Sequence, residues 1–173
     1  MIKAFIIAAV TADGFIAKDA QHSPFNWTGK ADKKRFIELT KRAGVVVMGS
    51  ATYKTIGTPL KERTNIVYSK SQKFEGVEVT QDKPLDLLKK LEERGFKEVA
   101  ICGGSQIYGM FMKAGVVNTV YLTVEPLFFG KGINLFSEDL RYTLKLKSAQ
   151  TSDSTGALLL EYSVDYSGTP KLI

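Results

Sequence analysis

The sequence predicts a three-layer α/β fold, with a central mixed, mostly parallel sheet of about eight strands and helices flanking both faces. Three observations lead there. Apolar or alternating runs suited to strands occur at residues 2–10, 45–48, 65–68, 77–80, 98–102, 117–124, 142–149 and 157–166. Patterns of helical period fill several of the gaps, which calls for right-handed crossovers between parallel neighbours. The last two runs follow one another without a helix between them, as an antiparallel addition does.

The first run, IKAFIIAAV, is apolar almost throughout, as a strand covered on both faces must be. It is too short to span a bilayer, and the TADG after it reads as a turn rather than a cleavage site, so a cytoplasmic protein with no membrane association is expected. A helix follows over 30–43, with Thr28 as a candidate cap. A short helix starts near residue 51. The third helix, 83–94, has clear punctuation: Asp82 before it, Pro84 in its first turn, Leu88 and Leu91 on one face, and Gly95 just beyond its end. The fourth runs over 104–113. No internal repeat interrupts the pattern, so residues 1–166 are expected to form one domain, and 167–173 (SGTPKLI) a flexible tail.

A chain of 173 residues can bury roughly 70% of its unfolded surface without disulfide or metal support. Its 24 basic and 18 acidic residues give a net charge of +6, but the charges are interspersed and form no stripe for nucleic acid. The single cysteine, Cys102, allows no intramolecular disulfide, and the single histidine, His22, no metal cluster of the usual spacing. Cys102 lies in an apolar strand and reads as a small core residue rather than a nucleophile. His22 lies in a polar loop and reads as solvated. The KKR run at 33–35 reads as the exposed side of a helix.

Two stretches repeat strand, glycine turn and helix: VVVMGSATY at 45–53 and VAICGGSQIY at 99–108. In open α/β sheets such turns lie at the carboxyl ends of strands, where free backbone N–H groups favour an anion. Gly49, Gly103 and Gly104 could equally do no more than close tight connections, and neither turn matches GxGxxG. In NWTGKADKKRF, Asp32 shares a helical stripe with Phe36, Leu39 or Thr40, and Ala43, the face that turns inward. It is either a first-turn acid, worth ~0.3–1 kcal/mol through the helix dipole, or a buried carboxyl with a raised pKa awaiting a ligand. Arg63, just before a strand, is either a carboxylate clamp or a solvated loop residue.

Taken in order, these residues resemble the dihydrofolate reductase family from about Ile2 to Val164. IIAAVTADGFIA resembles its first strand and turn, and Trp27 and Asp32, five apart, resemble its tryptophan and catalytic acid. VVMGSATYKTIGTPLKERTNIVYS resembles the family stretch VIMGRxTWxSIGRPLPGRxNIVLS, and CGGSQIY with the later VYLT resembles IGGxxVY and YLT. ADGFIA and EPLFFGKGINLF are also similar to the pyrimidine reductase domain of riboflavin synthesis.

The resemblance implies the dihydrofolate-reductase-like fold and NADPH-dependent reduction of 7,8-dihydrofolate, with Asp32 and Trp27 as the catalytic pair. Asp32 would hold the pterin amidine edge and support protonation at N5, with Thr123 supporting Asp32. Phe36, Ile56 and Leu60 would pack the substrate rings, and Arg63 would pair with the glutamate carboxylate. Ile7 and Cys102 would line the pterin and nicotinamide edges, with Ala9 and Ile16 against the nicotinamide. Gly49, Ser50, Ala51 and Thr52, Tyr68, Ser69 and Lys70, and Gly103, Gly104, Ser105, Gln106, Ile107 and Tyr108 would hold the phosphates and adenosine.

Departures from the family pattern bear on these roles. Ser50 replaces the arginine that commonly meets the 2′-phosphate, so a preference for NADPH rests on Ser69, Lys70 or another lysine, and NADH stays open. The loop Ala17–Phe25 is longer than the usual lid, and Lys33 and Ile37 occupy pocket-edge positions where other types are usual. Two alternatives remain: a reductase of another heterocycle such as the riboflavin-pathway ribosylamino-pyrimidine, or a nucleotide-binding protein without turnover. No HxE or PCxxC deaminase segment accompanies the domain. Partners are expected to be small molecules, and the chain a monomer or homodimer.

Overall fold

The computed structural model describes residues 1–152 and 154–167. All eight expected strands join one sheet. In chain order these are β1 (Lys3–Thr11), β3 (Val45–Gly49), β4 (Thr64–Tyr68), β5 (Glu78–Thr80), β6 (Glu98–Ile101), β7 (Val117–Glu125), β9 (Thr143–Thr151) and β10 (Leu158–Asp165), arranged β5-β4-β3-β6-β1-β7-β10-β9. The first six in that order run parallel, then β10 pairs antiparallel with β7 and β9 antiparallel with β10. Because β3 lies beside β6, with Val47 opposite Ile101, the two glycine turns leave the sheet next to each other.

The central strands are apolar on both faces because both faces are covered. Phe5, Ile7, Val46, Met48, Val67 and Ala100 pack toward α1 (Lys30–Ala43) and Tyr53 of α2 (Ser50–Ile56). Ile6, Val45, Val47, Ile66, Val99 and Ile101 face α3 (Pro84–Glu93) and α4 (Ser105–Lys113), which contribute Leu87, Leu88, Leu91, Phe111 and Met112. Leu91 is fully buried there. Leu91→Ala is expected to cost about 2–5 kcal/mol, read as a lower midpoint in urea unfolding with an unchanged slope.

Helix punctuation follows the sequence in part. Gly95, at φ +91°, and Gly44, at φ +71°, take the left-handed conformations that follow the ends of α3 and α1. Thr28 is not the cap of α1: the N-cap is Gly29, with no side-chain cap bond. The backbone N–H of Gly29 instead donates to Oε1 of buried Glu125, at the end of β7, at 2.7 Å.

Two elements carry too little periodicity to be read in advance: β2 (Phe15–Ala17) and β8 (Ile133–Asn134), which pair antiparallel as a separate two-stranded sheet. A short 3₁₀ turn, Pro24–Asn26, precedes Trp27. Of the expected tail, Ser167 bonds back to Asp165, and 168–173 lie outside the described residues.

Candidate active site

A cavity of about 930 Å³ runs along β1 and across the carboxyl ends of β3, β4 and β6. Its acid end is built by α1. The first turn of that helix faces the sheet, which leaves Asp32 only 9% exposed. Burial pushes the Asp32 carboxyl above its ordinary pKa; the Thr123 hydroxyl and the charges of Arg35 and Lys33 pull it back only in part. Asp32 is therefore both a first-turn acid and a buried cavity carboxyl. Arg35 is itself pinned, donating to the carbonyls of Leu122 at 3.3 Å and Leu160 at 2.7 Å, with its guanidinium over the Tyr121 ring.

Among the described residues, two buried side-chain polar atoms make no hydrogen bond, Trp27 Nε1 and Thr28 Oγ1, and they are neighbours in sequence. Thr28 lines the cavity. Leaving such a group unpaired costs roughly 1–3 kcal/mol, so the acid end holds unspent hydrogen-bonding capacity. Phe36 and Ile56 complete the apolar side, with Phe25 edge-on to Phe36 at 6.2 Å between centroids.

The other end is a glycine cradle. Gly49 N–H donates to Gly103 O at 2.7 Å, joining the two turns, and the Gly103–Gly104 peptide is cis. A Cβ on Gly103, whose φ is +101°, would lie 2.9 Å from the Tyr108 ring; on Gly49 it would lie 3.2 Å from Ile107, and on Gly104 3.3 Å from the Thr52 hydroxyl. Tyr108 is locked in turn, its hydroxyl donating to Ile7 O at 2.8 Å. Burial pushes the Cys102 thiol up to about 12, so it stays neutral, in keeping with a core residue.

The cavity wall brings together most residues named from sequence. Ile7, Ala9, Ile16, Asp32, Phe36, Ile56 and Cys102 line it, with Gly49, Ser50, Ala51, Thr52, Tyr68, Ser69, Lys70, Gly103, Gly104, Ser105, Gln106, Ile107 and Tyr108. Four expected residues are not in the lining. Thr123 is buried behind Asp32. The Leu60 backbone is bracketed by Asn65, which accepts its N–H at 2.8 Å and donates to its carbonyl at 2.9 Å, and its side chain packs against the same core cluster as Phe36 and Ile56. Arg63 turns to α1, donating to the Thr40 hydroxyl at 2.7 Å. Trp27 lies behind the wall, its ring stacked on His22 at 6.5 Å and edge-on to Phe129 at 5.2 Å.

Three contributors were missed from sequence. His22 is half-buried and lines the cavity rather than standing in solvent. Phe129 reaches Trp27 from the loop after β7, and Asp13 fixes that loop by accepting the N–H groups of Phe129 at 3.2 Å and Gly130 at 2.7 Å. An acid in a turn and an aromatic in EPLFFG carry no period, so only their partners reveal them. No group of three or more metal-ligating side chains exists among the described residues, and none of the helices described is long and apolar enough to cross a membrane.

The family described as dihydrofolate reductase matches residues 3–133 of the sequence. The chain belongs to the dihydrofolate reductase family. A dihydrofolate reductase of Haemophilus influenzae is 32% identical over 118 residues, covering 68% of this chain and 69% of its own length. Two solved structures share the fold. A pyrimidine reductase-like protein of Corynebacterium diphtheriae has a TM-score of 0.80 at 18% identity, over 95% of this chain and 92% of its own. The dihydrofolate reductase of Enterococcus faecalis, in complex with NADP(H), has 0.72 at 24% identity, over 94% of each chain. The protein is thus a reductase of the dihydrofolate-reductase-like superfamily.

Proposed function

We propose that the protein reduces 7,8-dihydrofolate to 5,6,7,8-tetrahydrofolate with NADPH. The observation that carries this reading is the buried Asp32 carboxyl, raised in pKa, at one end of a cavity whose other end is a glycine cradle. The cradle fits a dinucleotide, because its glycines bring bare backbone to the cavity wall: a Cβ on Gly103 would collide with the Tyr108 ring, and one on Gly49 or Gly104 would crowd Ile107 or Thr52. When bound, the nicotinamide supplies the hydride. Gly49 to Thr52 and Gly103 to Tyr108 would hold its phosphates and adenosine, and Ala9 and Ile16 its ring.

The chain's own part is orientation, a proton route and exclusion of water. Asp32 accepts hydrogen bonds from the amidine edge of the pterin and, its pKa raised by burial, supports protonation at N5. Phe36 and Ile56 pack the substrate rings, and Thr123 and Trp27 hold the acid end from behind. Leu60 and Arg63 stand beyond the rim, in reach only of the substrate's far end.

Lys70 is the cavity-lining cation beside Ser69, and it would replace the arginine that Ser50 displaces. Lys70→Ala is expected to weaken NADPH binding about tenfold, the worth of one charge-assisted contact. Affinity for NADH should stay unchanged. Fluorescence titration with both nucleotides checks this.

A second reading, reduction of a phosphoribosylamino-pyrimidine, draws support from Lys33 and Lys54, which line the same cavity and could meet a phosphate where dihydrofolate has none. Steady-state loss of NADPH absorbance decides between the two. Turnover with dihydrofolate and not with the pyrimidine supports the first reading; the reverse overturns it.

A further inference from the structure

Thr28 stands in the wall of the Asp32 pocket with none of the duties its position suggests. A threonine ahead of a helix commonly caps it, but α1 begins at Gly29 without a side-chain cap, and the Gly29 N–H is taken by Glu125. The turn is closely packed: a Cβ at Gly29 would lie 2.8 Å from the Thr155 side chain. Thr28, which lines the cavity, is only 7% exposed, and its Oγ1 makes no hydrogen bond. Buried hydroxyls are nearly always paired, and an orphan one in a cavity wall points to a partner that arrives with the ligand.

We propose that Thr28 is a ligand-contacting residue, its hydroxyl oxygen accepting a hydrogen bond from an N–H on the polar edge of a bound pterin or pyrimidine ring. The proposal rests on the heterocycle reading above. The chemistry is complementary. A hydroxyl has one proton to give and two lone pairs to offer. With a ring bound, its proton would go to the neighbouring Asp32 carboxylate and its lone pairs would be left for the ring N–H. Asp32 and Thr28 together present adjacent acceptors, the pattern that a ring N–H beside an exocyclic amine or ribosylamine fills. A ring with a carbonyl or methyl at that edge would leave the lone pairs facing an acceptor or a hydrocarbon, so Thr28 also contributes to substrate choice.

The test is calorimetric titration of wild type, Thr28→Val and Thr28→Ser with dihydrofolate and, separately, with the phosphoribosylamino-pyrimidine. Thermal melts confirm that each variant folds, and NADPH titration reports the cradle. Thr28→Val keeps the shape and deletes the hydroxyl, and is expected to bind the ring about tenfold more weakly, with NADPH affinity unchanged; Thr28→Ser should bind within a few-fold of wild type. The same loss for the pyrimidine in a protein that ignores dihydrofolate supports Thr28 while overturning the folate reading. Thr28→Val binding as tightly as wild type overturns the proposal whichever ring is bound. Wild type binding neither ring overturns both.

Discussion

Asp32→Asn is expected to lower kcat/KM by about 10²–10⁴-fold, the usual worth of a positioned acid–base group, and to raise the melting temperature. The two effects share one cause. Burial lifts the folded-state pKa of Asp32 above the 3.8 of an unfolded carboxyl. From that value upward to the raised one, the folded chain holds a proton that the unfolded chain has released, so stability falls as pH rises through the window. Above the raised value the folded protein carries the full penalty. Asparagine does not ionise and escapes it, so the variant should melt higher than wild type above the raised pKa, and the difference should shrink as pH falls through that pKa and be gone below about 4. The charges facing Asp32 are Lys33 and Arg35 from α1, with the Tyr108 phenol across the sheet. Steady-state rates with NADPH and dihydrofolate, together with melts across the acidic to neutral range, check both halves. Equal rates in the two proteins would sink the role given to Asp32.

Gly103→Ala should do comparable damage at the opposite end. At φ +101° an L side chain is strained, at a cost on the order of 1–3 kcal/mol, and the new Cβ would press on the Tyr108 ring at 2.9 Å. Relieving that contact means moving the tyrosine that holds Ile7 O, at 2.8 Å, across the cavity. NADPH affinity is therefore expected to fall at least tenfold, with a clear drop in melting temperature. Gly95→Ala is the control. Gly95 also has positive φ, +91°, but no atom lies within 4 Å of its Cβ position, so that variant should lose some stability and leave nucleotide binding intact. If Gly103→Ala binds NADPH as wild type does, the cradle is not where the dinucleotide sits.

The fold was legible wherever a period is long enough to leave a pattern. The eight main strands and the α1 span 30–43 follow from apolar alternation and helical spacing. β2 and β8 escape because three and two residues cannot establish a period. Thr28 was misjudged as a cap for a different reason: the group that occupies the Gly29 N–H sits 96 positions away, at Glu125. His22 looked solvated for want of Phe129, whose ring lies 5.4 Å from it in space and more than a hundred residues away in sequence. Arg63 follows the family pattern in sequence, yet its bond to the Thr40 hydroxyl turns it toward α1. Residue type and order suggested the chemistry; reach and direction depended on distant neighbours.

The Gly29–Glu125 bond also sets the timing of assembly. Helix α1 can form early from local contacts, but its entry is fixed only once β7 has taken its place beside β1, and Tyr108 must likewise span 101 positions to reach Ile7. Closure of so large a loop is repaid late in folding. The aspartate is therefore synthesised well before the strand that closes its pocket, and the two ends of the cavity are expected to mature together with the central sheet.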